Sequence, residues 1–352
     1  MRLLTLVLPV ACVLFPGHAG SAMIDEIQVY NAEIAKVGRE LAVPLMLGVV
    51  VINFVLIHLA PGSFLELMTA ENQVSDPATV ELLRKTYGLE DPVWLQLLKY
   101  IWALLHFDFG FSYRQNMPVI QAIGINLPAT ILLMVSSITL AFAIGVSAGV
   151  VASVKVRTVW DTLVSVAAMF FFAAPSFWLG IMMIVLFAVK LGWMPVGGLQ
   201  TIGGASSGIG WVLDILHHLV LPTLALGLFY AAIYARVMRS SMLEVAQADF
   251  VRTARAKGLS RRKVTVSHVL RNALLPVVTI LGVQMGTVLA GSVVIESVFS
   301  WPGVGSLLFD SVSSRNYPVV LGIMVLGSLV VIVANIAVDL VYMWLDPRIE
   351  IR

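Results

Sequence analysis

Six stretches of this chain stay apolar for the roughly 20 residues that a helix needs to cross a bilayer. They are Leu41–Ala60, Leu127–Val151, Val159–Val189, Leu219–Val237, Val277–Ile295 and Val319–Leu345. No soluble core would bury them all, since 59% of the 352 residues are hydrophobic and only 12% are charged. Soluble domains carry about 25% charged residues. Lipid is the solvent this composition calls for, and the chain reads as an all-α integral membrane protein with about six transmembrane helices. The net charge of +2 averages apolar spans with a single basic loop and says little. Cys12 is the only cysteine, which excludes an internal disulfide and a Cys-cluster metal site.

The charge is not spread evenly. Between Arg236 and Pro276 stand nine of the chain's 22 Lys and Arg, opposed only by Glu244 and Asp249. Lys and Arg between spans are retained on the cytoplasmic side, so this loop between the fourth and fifth spans orients the whole chain. The other loops agree. Pro61–Asn126 has seven acids against Arg84, Lys85, Lys99 and Arg114, and falls outside. Lys155 and Arg157 mark a short inner turn. Gly192–His218 has no Lys or Arg and only Arg315 follows the fifth span, which puts both loops outside. The tail Asp346–Arg352 falls inside.

Residues 1–22 stand apart from this plan. Leu3–Phe15 is apolar but short, and Ala19-Gly-Ser-Ala22 resembles a signal-peptidase site. Cleavage there would carry the basic loop outside, against its charge. The pattern favours either an uncleaved extension, which would make the apolar stretch an extra surface-lying or spanning segment, or a start at Met23. In the outer region Asp76 and Pro77 begin a helix as N-cap and first helical residue, and Gly88 ends it. Pro92–Phe107, with Trp94, Tyr100 and Trp102, suits the membrane surface; packing against the spans is the plainer reading. Gly197–Gly210 lacks the Gly-Lys-Ser/Thr ending of a phosphate-binding loop and reads as a flexible loop.

Within the basic loop, Ser241–Lys257 places Met242, Val245, Ala246, Asp249 and Phe250 on one helix face by their three- and four-residue spacing. Arg252, Arg255 and Lys257 crowd the last turn, where the helix dipole favours cations. Gly258 stops the helix with a positive φ. Ser260 caps a second basic helix, Arg261–Arg271, and Pro276 marks the start of the fifth span. Helix, tight turn and helix would project into the cytosol. A loop anchored on anionic lipid fits the same charge. Nucleic-acid binding is disfavoured by the membrane tether and the lack of an aromatic platform.

Asp249-Phe-Val-Arg-Thr-Ala-Arg-Ala-Lys-Gly-Leu-Ser260, followed by Leu270-Arg-Asn-Ala-Leu-Leu-Pro276, closely resembles the cytoplasmic loop of ABC-importer permeases, above all the dipeptide/oligopeptide/nickel permease family. The resemblance extends through Leu59-Ala-Pro-Gly62, Glu296-Ser-Val-Phe-Ser-Trp-Pro-Gly-Val-Gly305, Tyr317-Pro-Val-Val320, Val338-Asp-Leu-Val-Tyr342 and Leu345-Asp-Pro-Arg-Ile349. It covers most of the chain from about residue 40 onward. The early Ala-Pro-Gly motif and the long outer loop look like the "B" permease of a B/C pair. Arg252-Thr-Ala254 replaces the general importer's Glu-Ala-Ala, Pro61-Gly-Ser-Phe64 replaces a frequent Pro-Gly-Asp-Pro, and His58 stands where many members have Arg.

The resemblance implies a type I ABC importer transmembrane domain in a bacterial inner membrane. Its parts would be an N-terminal extension at 1–40, a first transmembrane helix at 41–60, an extracytoplasmic region at 61–122, a permease domain at 123–345 containing a cytoplasmic coupling loop at 239–272, and a cytoplasmic tail at 346–352. Such a subunit is non-catalytic and forms half of a translocation pathway for peptides. Its implied partners are a second permease subunit in a heterodimer, two cytosolic ABC ATPases that hold ATP and Mg, and an extracytoplasmic substrate-binding protein. No cofactor is expected on this chain. The coupling residues carried over are Asp249, Arg252, Thr253, Ala254, Arg255, Ala256, Lys257, Gly258 and Leu259. Ala254, Ala256 and Gly258 would give close fit to the ATPase, and Arg252, Arg255 and Lys257 electrostatic grip. Nickel or another small solute is the alternative cargo. An ATP-independent channel or secondary transporter is the alternative of another class, and it would more often carry ionisable residues at mid-membrane.

Asn53 and Asn335 are expected to hydrogen-bond neighbouring helices. Glu296 would face the outer vestibule or pair within the loop that follows it, and Asp339 is read as structural. Pro175 would kink the third span, and Pro175 and Pro276 are the candidate hinge or gate positions. His217 and His218 are read as interfacial rather than metal-ligating.

Overall fold

The computed structural model describes residues 44, 46–55, 91–112, 114–204 and 207–345, with the backbone course alone for 283, 285–291 and 334–345. The extension at 1–40 with Cys12, His58, the Ala60-Pro-Gly62 motif, the helix expected at Asp76–Gly88 and the tail at 346–352 lie outside the described residues. So do the side chains of Asn335 and Asp339.

Among the described residues, each of the six apolar stretches falls on helix, with a break in the third at Ala174–Pro175. Helix α1 is Met46–Val55 and α2 is Val93–Leu105. A short hairpin pairs β1 (Phe111–Ser112) with β2 (Met117–Pro118) in antiparallel register. Then follow α3 (Val119–Val154), α4 (Val159–Ala173) and α5 (Ser176–Met183), which continues in wider π-type turns through Ile184–Lys190. Helix α6 is Gly208–Val245, α7 is Asp249–Ala256 and α8 is Arg261–Lys263. Helix α8 runs through π-type turns at Val264–Leu270 into α9 (Arg271–Val298). Helices α10 (Val304–Ser313) and α11 (Tyr317–Leu345) complete the fold.

Helices α3 and α6, of 36 and 38 residues, form the most extensive pair and centre the core. At 1.5 Å per residue each is longer than the ~30 Å of hydrocarbon in a bilayer. A ridge of small residues lets them approach. Ser137, Ala141, Gly145, Gly149 and Ser153 recur every fourth residue of α3 and are all buried. A Cβ on Gly145 would stand 2.6 Å from Cβ of Tyr234 and 2.7 Å from the Ala231 carbonyl oxygen. A Cβ on Gly149 would stand 2.6 Å from Cβ of Met238. Close backbone approach over small residues is how helices associate where no hydrophobic effect drives them together.

The third apolar stretch is expected as one kinked span, but it is two helices. Helices α4 and α5 meet at 102°. Proline disfavours helical backbone in the residue before it, and Ala174 is accordingly extended (φ −78°, ψ 128°) just ahead of Pro175. Pro128, Pro222 and Pro276 instead lie inside α3, α6 and α9. Pro276 therefore does not mark a helix start, because the helical rod of the fifth span begins at Arg261.

At the end of α9 away from the basic loop, Glu296 is fully buried. Its carboxyl accepts from the Thr130 hydroxyl at 2.8 Å, from Ser306 N–H at 2.9 Å, and from Gly305 N–H and the Ser292 hydroxyl. The carboxyl thus sits on the N-terminal N–H groups of α10, where negative charge is favoured. Trp301 donates from Nε1 to the Ala129 carbonyl at 2.9 Å, and Val304 N–H donates to Thr130 Oγ1 at 2.8 Å. Of the two expected roles for Glu296, the structure shows pairing within the following loop. The Gly-rich segment expected to be flexible is tied down over its first half. Gly198 N–H bonds the Phe299 carbonyl at 2.8 Å, and Thr201 donates to Asp214 from its N–H at 2.6 Å and from its hydroxyl at 2.8 Å. His218 is buried with Nδ1 at 2.9 Å from the Asp214 carbonyl, and His217 Nε2 lies 2.9 Å from the Trp193 carbonyl. Asn53 is buried in α1, and its Nδ2 has no hydrogen-bond partner among the described residues, where an interhelical bond is expected.

Candidate docking surface

Helix α6 runs past its apolar stretch to Val245, and the chain then turns at Ala246–Ala248 before α7 begins. The single helix expected over Ser241–Lys257 is therefore two. Ala248 is extended (φ −64°, ψ 150°), and Asp249 opens the new helix in its first turn, where the dipole favours an acid. No Gly or Pro marks the break, so apolar spacing reads straight through it.

That break rotates the face. Met242 and Val245 are buried as expected, but Phe250 is 46% exposed. The inward residues of α7 are Val251 and Ala254, which join the core cluster of Val264 and Val269. The Ala254 methyl is therefore used within this chain rather than presented outward. Asp249, Phe250, Arg252, Thr253, Arg255, Ala256, Lys257 and Gly258 are exposed, while Leu259 is half-buried against the core.

The end of α7 is a complete Schellman turn. Gly258 N–H bonds the Arg255 carbonyl at 2.9 Å and Leu259 N–H bonds the Ala254 carbonyl at 3.4 Å. Gly258 has φ +79°, and nothing lies within 4 Å of the place its Cβ would occupy. Glycine is required there by conformation and not by crowding. Ser260 Oγ then accepts from Lys263 N–H at 3.4 Å and caps α8. The separate second helix expected at Arg261–Arg271 instead continues without interruption into α9.

Arg252 and Asp249 are 3.4 Å apart with side chains 72% and 96% exposed, so their pair contributes little. Among the described residues, Arg255, Lys257, Arg261, Arg262, Lys263 and Arg271 make no ion pair. The result is a rigidly turned surface carrying one aromatic side chain among uncompensated cations. It suits a partner that brings carboxylates and an apolar recess. Pro175 and Pro276 are not part of this surface. Pro175 lies at the α4–α5 bend beside an apolar pocket lined by Phe170, Phe177 and Trp178.

The neighbouring end of α6 is fixed by a bond that apolar spacing does not show. Arg239 donates to both carboxylate oxygens of Asp161, and Arg157 N–H donates to Asp161 Oδ2 at 3.0 Å. Asp161 is the only charged residue within Val159–Val189, and an acid inside an apolar stretch was the available signal that it has a partner.

The chain matches the family described as binding-protein-dependent transport system inner membrane component over residues 141–351. It is 37% identical over 327 residues to the dipeptide transport system permease protein DppB of Escherichia coli (strain K12), covering 88% of this chain and 96% of that protein. With the same coverage of both chains it is 38% identical over 311 residues to the oligopeptide transport system permease protein AppB of Bacillus subtilis (strain 168). The di/tripeptide transport system permease protein DppB of Pseudomonas aeruginosa is 39% identical over 326 residues. Among solved structures, a chain of the MetNI methionine ABC transporter in an inward-facing conformation superposes with a TM-score of 0.51 at 18% identity, covering 64% of this chain and 97% of that one. At that identity the likeness is one of fold.

Proposed function

The chain belongs to the family of binding-protein-dependent transport inner membrane components, and from that premise we propose that it forms half of an ATP-driven import pathway for peptides. A second permease subunit supplies the other half, an extracytoplasmic binding protein delivers cargo, and two cytosolic ATPases bind ATP and Mg. The basic loop and the C-terminus face the cytoplasm in this reading, which the distribution of Lys and Arg supports.

The observation that carries this reading is the outward face of α7. Val251 and Ala254 fasten the helix to its own chain, while Phe250, Arg252, Arg255, Ala256 and Lys257 are left facing out. An ATPase seated there would push α7 as it closes. The Schellman turn at Gly258 and the unbroken rod from α8 into α9 would carry that push into the spans as rigid-body motion. Pro175 would serve as the hinge, since the bend between α4 and α5 is set at that residue.

Reconstitution tests the reading. The chain, its co-purifying permease and ATPases, and the binding protein are placed in proteoliposomes. Labelled dipeptide should accumulate only when ATP and binding protein are both present. Accumulation of nickel instead of peptide would overturn the cargo, and flux without ATP would overturn the importer.

A further inference from the structure

Helix α2 has no fully buried residue, and its 13 residues span only ~20 Å, too short to cross a bilayer. Apart from Val93 in its first turn, 60% exposed, its exposed apolar side chains fall on one line. Trp94, Leu98, Trp102 and Leu105 are 64%, 54%, 66% and 69% exposed, and at 100° per residue they fall within a stripe of about 80°. Lys99 borders that stripe. Leu97, Tyr100 and Leu104 lie about 100° or more from the middle of that stripe and are half-buried, and Ile101 at its edge is half-buried too.

Two anchors fix the level of α2. The Tyr100 ring stands 6.2 Å from that of Phe54, in the later half of the first apolar stretch. Just beyond α2, Phe109 packs against the cluster that Val119 and Ile123 in the first turns of α3 form with Val319 and Ile323 of α11. The same end of α3 meets the end of α9 farthest from the basic loop, through Thr130 and Glu296. Helix α2 is thus held at the ends of membrane-crossing helices, on the side away from α7. Ile123 precedes the apolar stretch that begins at Leu127 by one turn, about 6 Å, which is the depth of the headgroup region beyond the hydrocarbon.

We infer that α2 is an in-plane helix whose Trp94–Leu98–Trp102–Leu105 stripe is buried at the boundary between headgroups and acyl chains. The outer leaflet is assigned by the orientation proposed above. Two tryptophans on one face of a short amphipathic helix suit that depth, where amphipathic rings collect. Lys99 is engaged with Asp91, so attachment rests on apolar insertion and not on attraction to anionic headgroups.

The assembled complex in phosphatidylcholine vesicles tests this whatever its cargo. In a Cys12→Ser background, nitroxide labels are placed by Leu98→Cys, Lys99→Cys, Trp102→Cys and Leu105→Cys. Collision with oxygen relative to chromium oxalate is then read at each site. The ratio should be several-fold higher at 98, 102 and 105 than at 99. High chromium oxalate access at all four sites would put α2 in water. Low access to both reagents at 98 and 102 would put protein over the stripe, meaning the second permease or the binding protein. Either result overturns the inference. A label-free reading is the quenching of tryptophan emission by brominated phosphatidylcholine, which should fall in the Trp94→Phe/Trp102→Phe variant. Unchanged quenching would also overturn it.

Discussion

Asp161 and Arg239, 78 positions apart, share a two-pronged ion pair, with Nε to Oδ1 at 2.6 Å and Nη2 to Oδ2 at 3.0 Å. The pair clamps the first turn of α4 onto α6 six residues before α6 ends. It thereby fixes the platform from which α7 departs. Breaking a buried pair costs about 3–5 kcal/mol, but Arg239 is 32% exposed, so Asp161→Asn should cost about 2 kcal/mol after that discount. Thermal unfolding in detergent should show a lower Tm for Asp161→Asn and for Arg239→Gln, with the double variant little worse than either single. Strict additivity of the two losses would mean the pair is not coupled.

The α3–α6 seam predicts a contrast between glycines. Gly149→Val should fold poorly, because its new Cβ would stand 2.6 Å from Cβ of Met238 and 2.7 Å from the Ala235 carbonyl. Overpacking of this kind costs about 1–3 kcal/mol or more. Gly327→Ala meets nothing within 4 Å and should be neutral or stabilising by up to about 1 kcal/mol. Yield of monodisperse protein after extraction reads both, and equal yields would contradict the seam.

The Glu296 cluster predicts a loss that does not depend on volume. Thr130→Val strips Val304 N–H of its acceptor and Glu296 of a donor, which should cost about 1–3 kcal/mol for each group left unpaired. Glu296→Gln replaces an acceptor of several bonds with a group that is half donor, and should be at least as damaging. Hydrogen exchange should then rise at the N-terminus of α10. Unchanged protection there would show that the cap is dispensable.

Gly258→Val separates folding from coupling. The site is open, so the cost is the strain of a left-handed residue, about 1–2 kcal/mol. The variant should assemble with its partners and still bind the loaded binding protein, yet lose most ATP-driven uptake. Normal uptake would remove Gly258 from the mechanism.

Much of this was legible from local chemistry. The apolar stretches located the helices, Gly258 announced its own turn, and Ser260 announced the cap of α8. Two features were not. The turn at Ala246–Ala248 uses residues that also suit a helix, so nothing local revealed that Phe250 faces out while Val251 and Ala254 face in. The Asp161–Arg239 pair joins elements 78 positions apart, and neither residue identifies its partner. The right-angled bend at Pro175 was half visible. Proline foretold a disturbance there, but Pro222 and Pro276 sit inside continuous helices, so residue type alone did not set its size.

The most direct test of the coupling role is affinity purification of the chain from native membranes in mild detergent, comparing wild type with an Arg255→Glu/Lys257→Glu variant. Both side chains are exposed and make no ion pair among the described residues, so their reversal should leave the fold intact. Wild type should bring down a second permease and the ATPases. The variant should keep the permease and lose the ATPases, more completely at low salt, where charge repulsion is least screened. Equal recovery of ATPase with both chains would contradict the assignment of α7 as the docking surface.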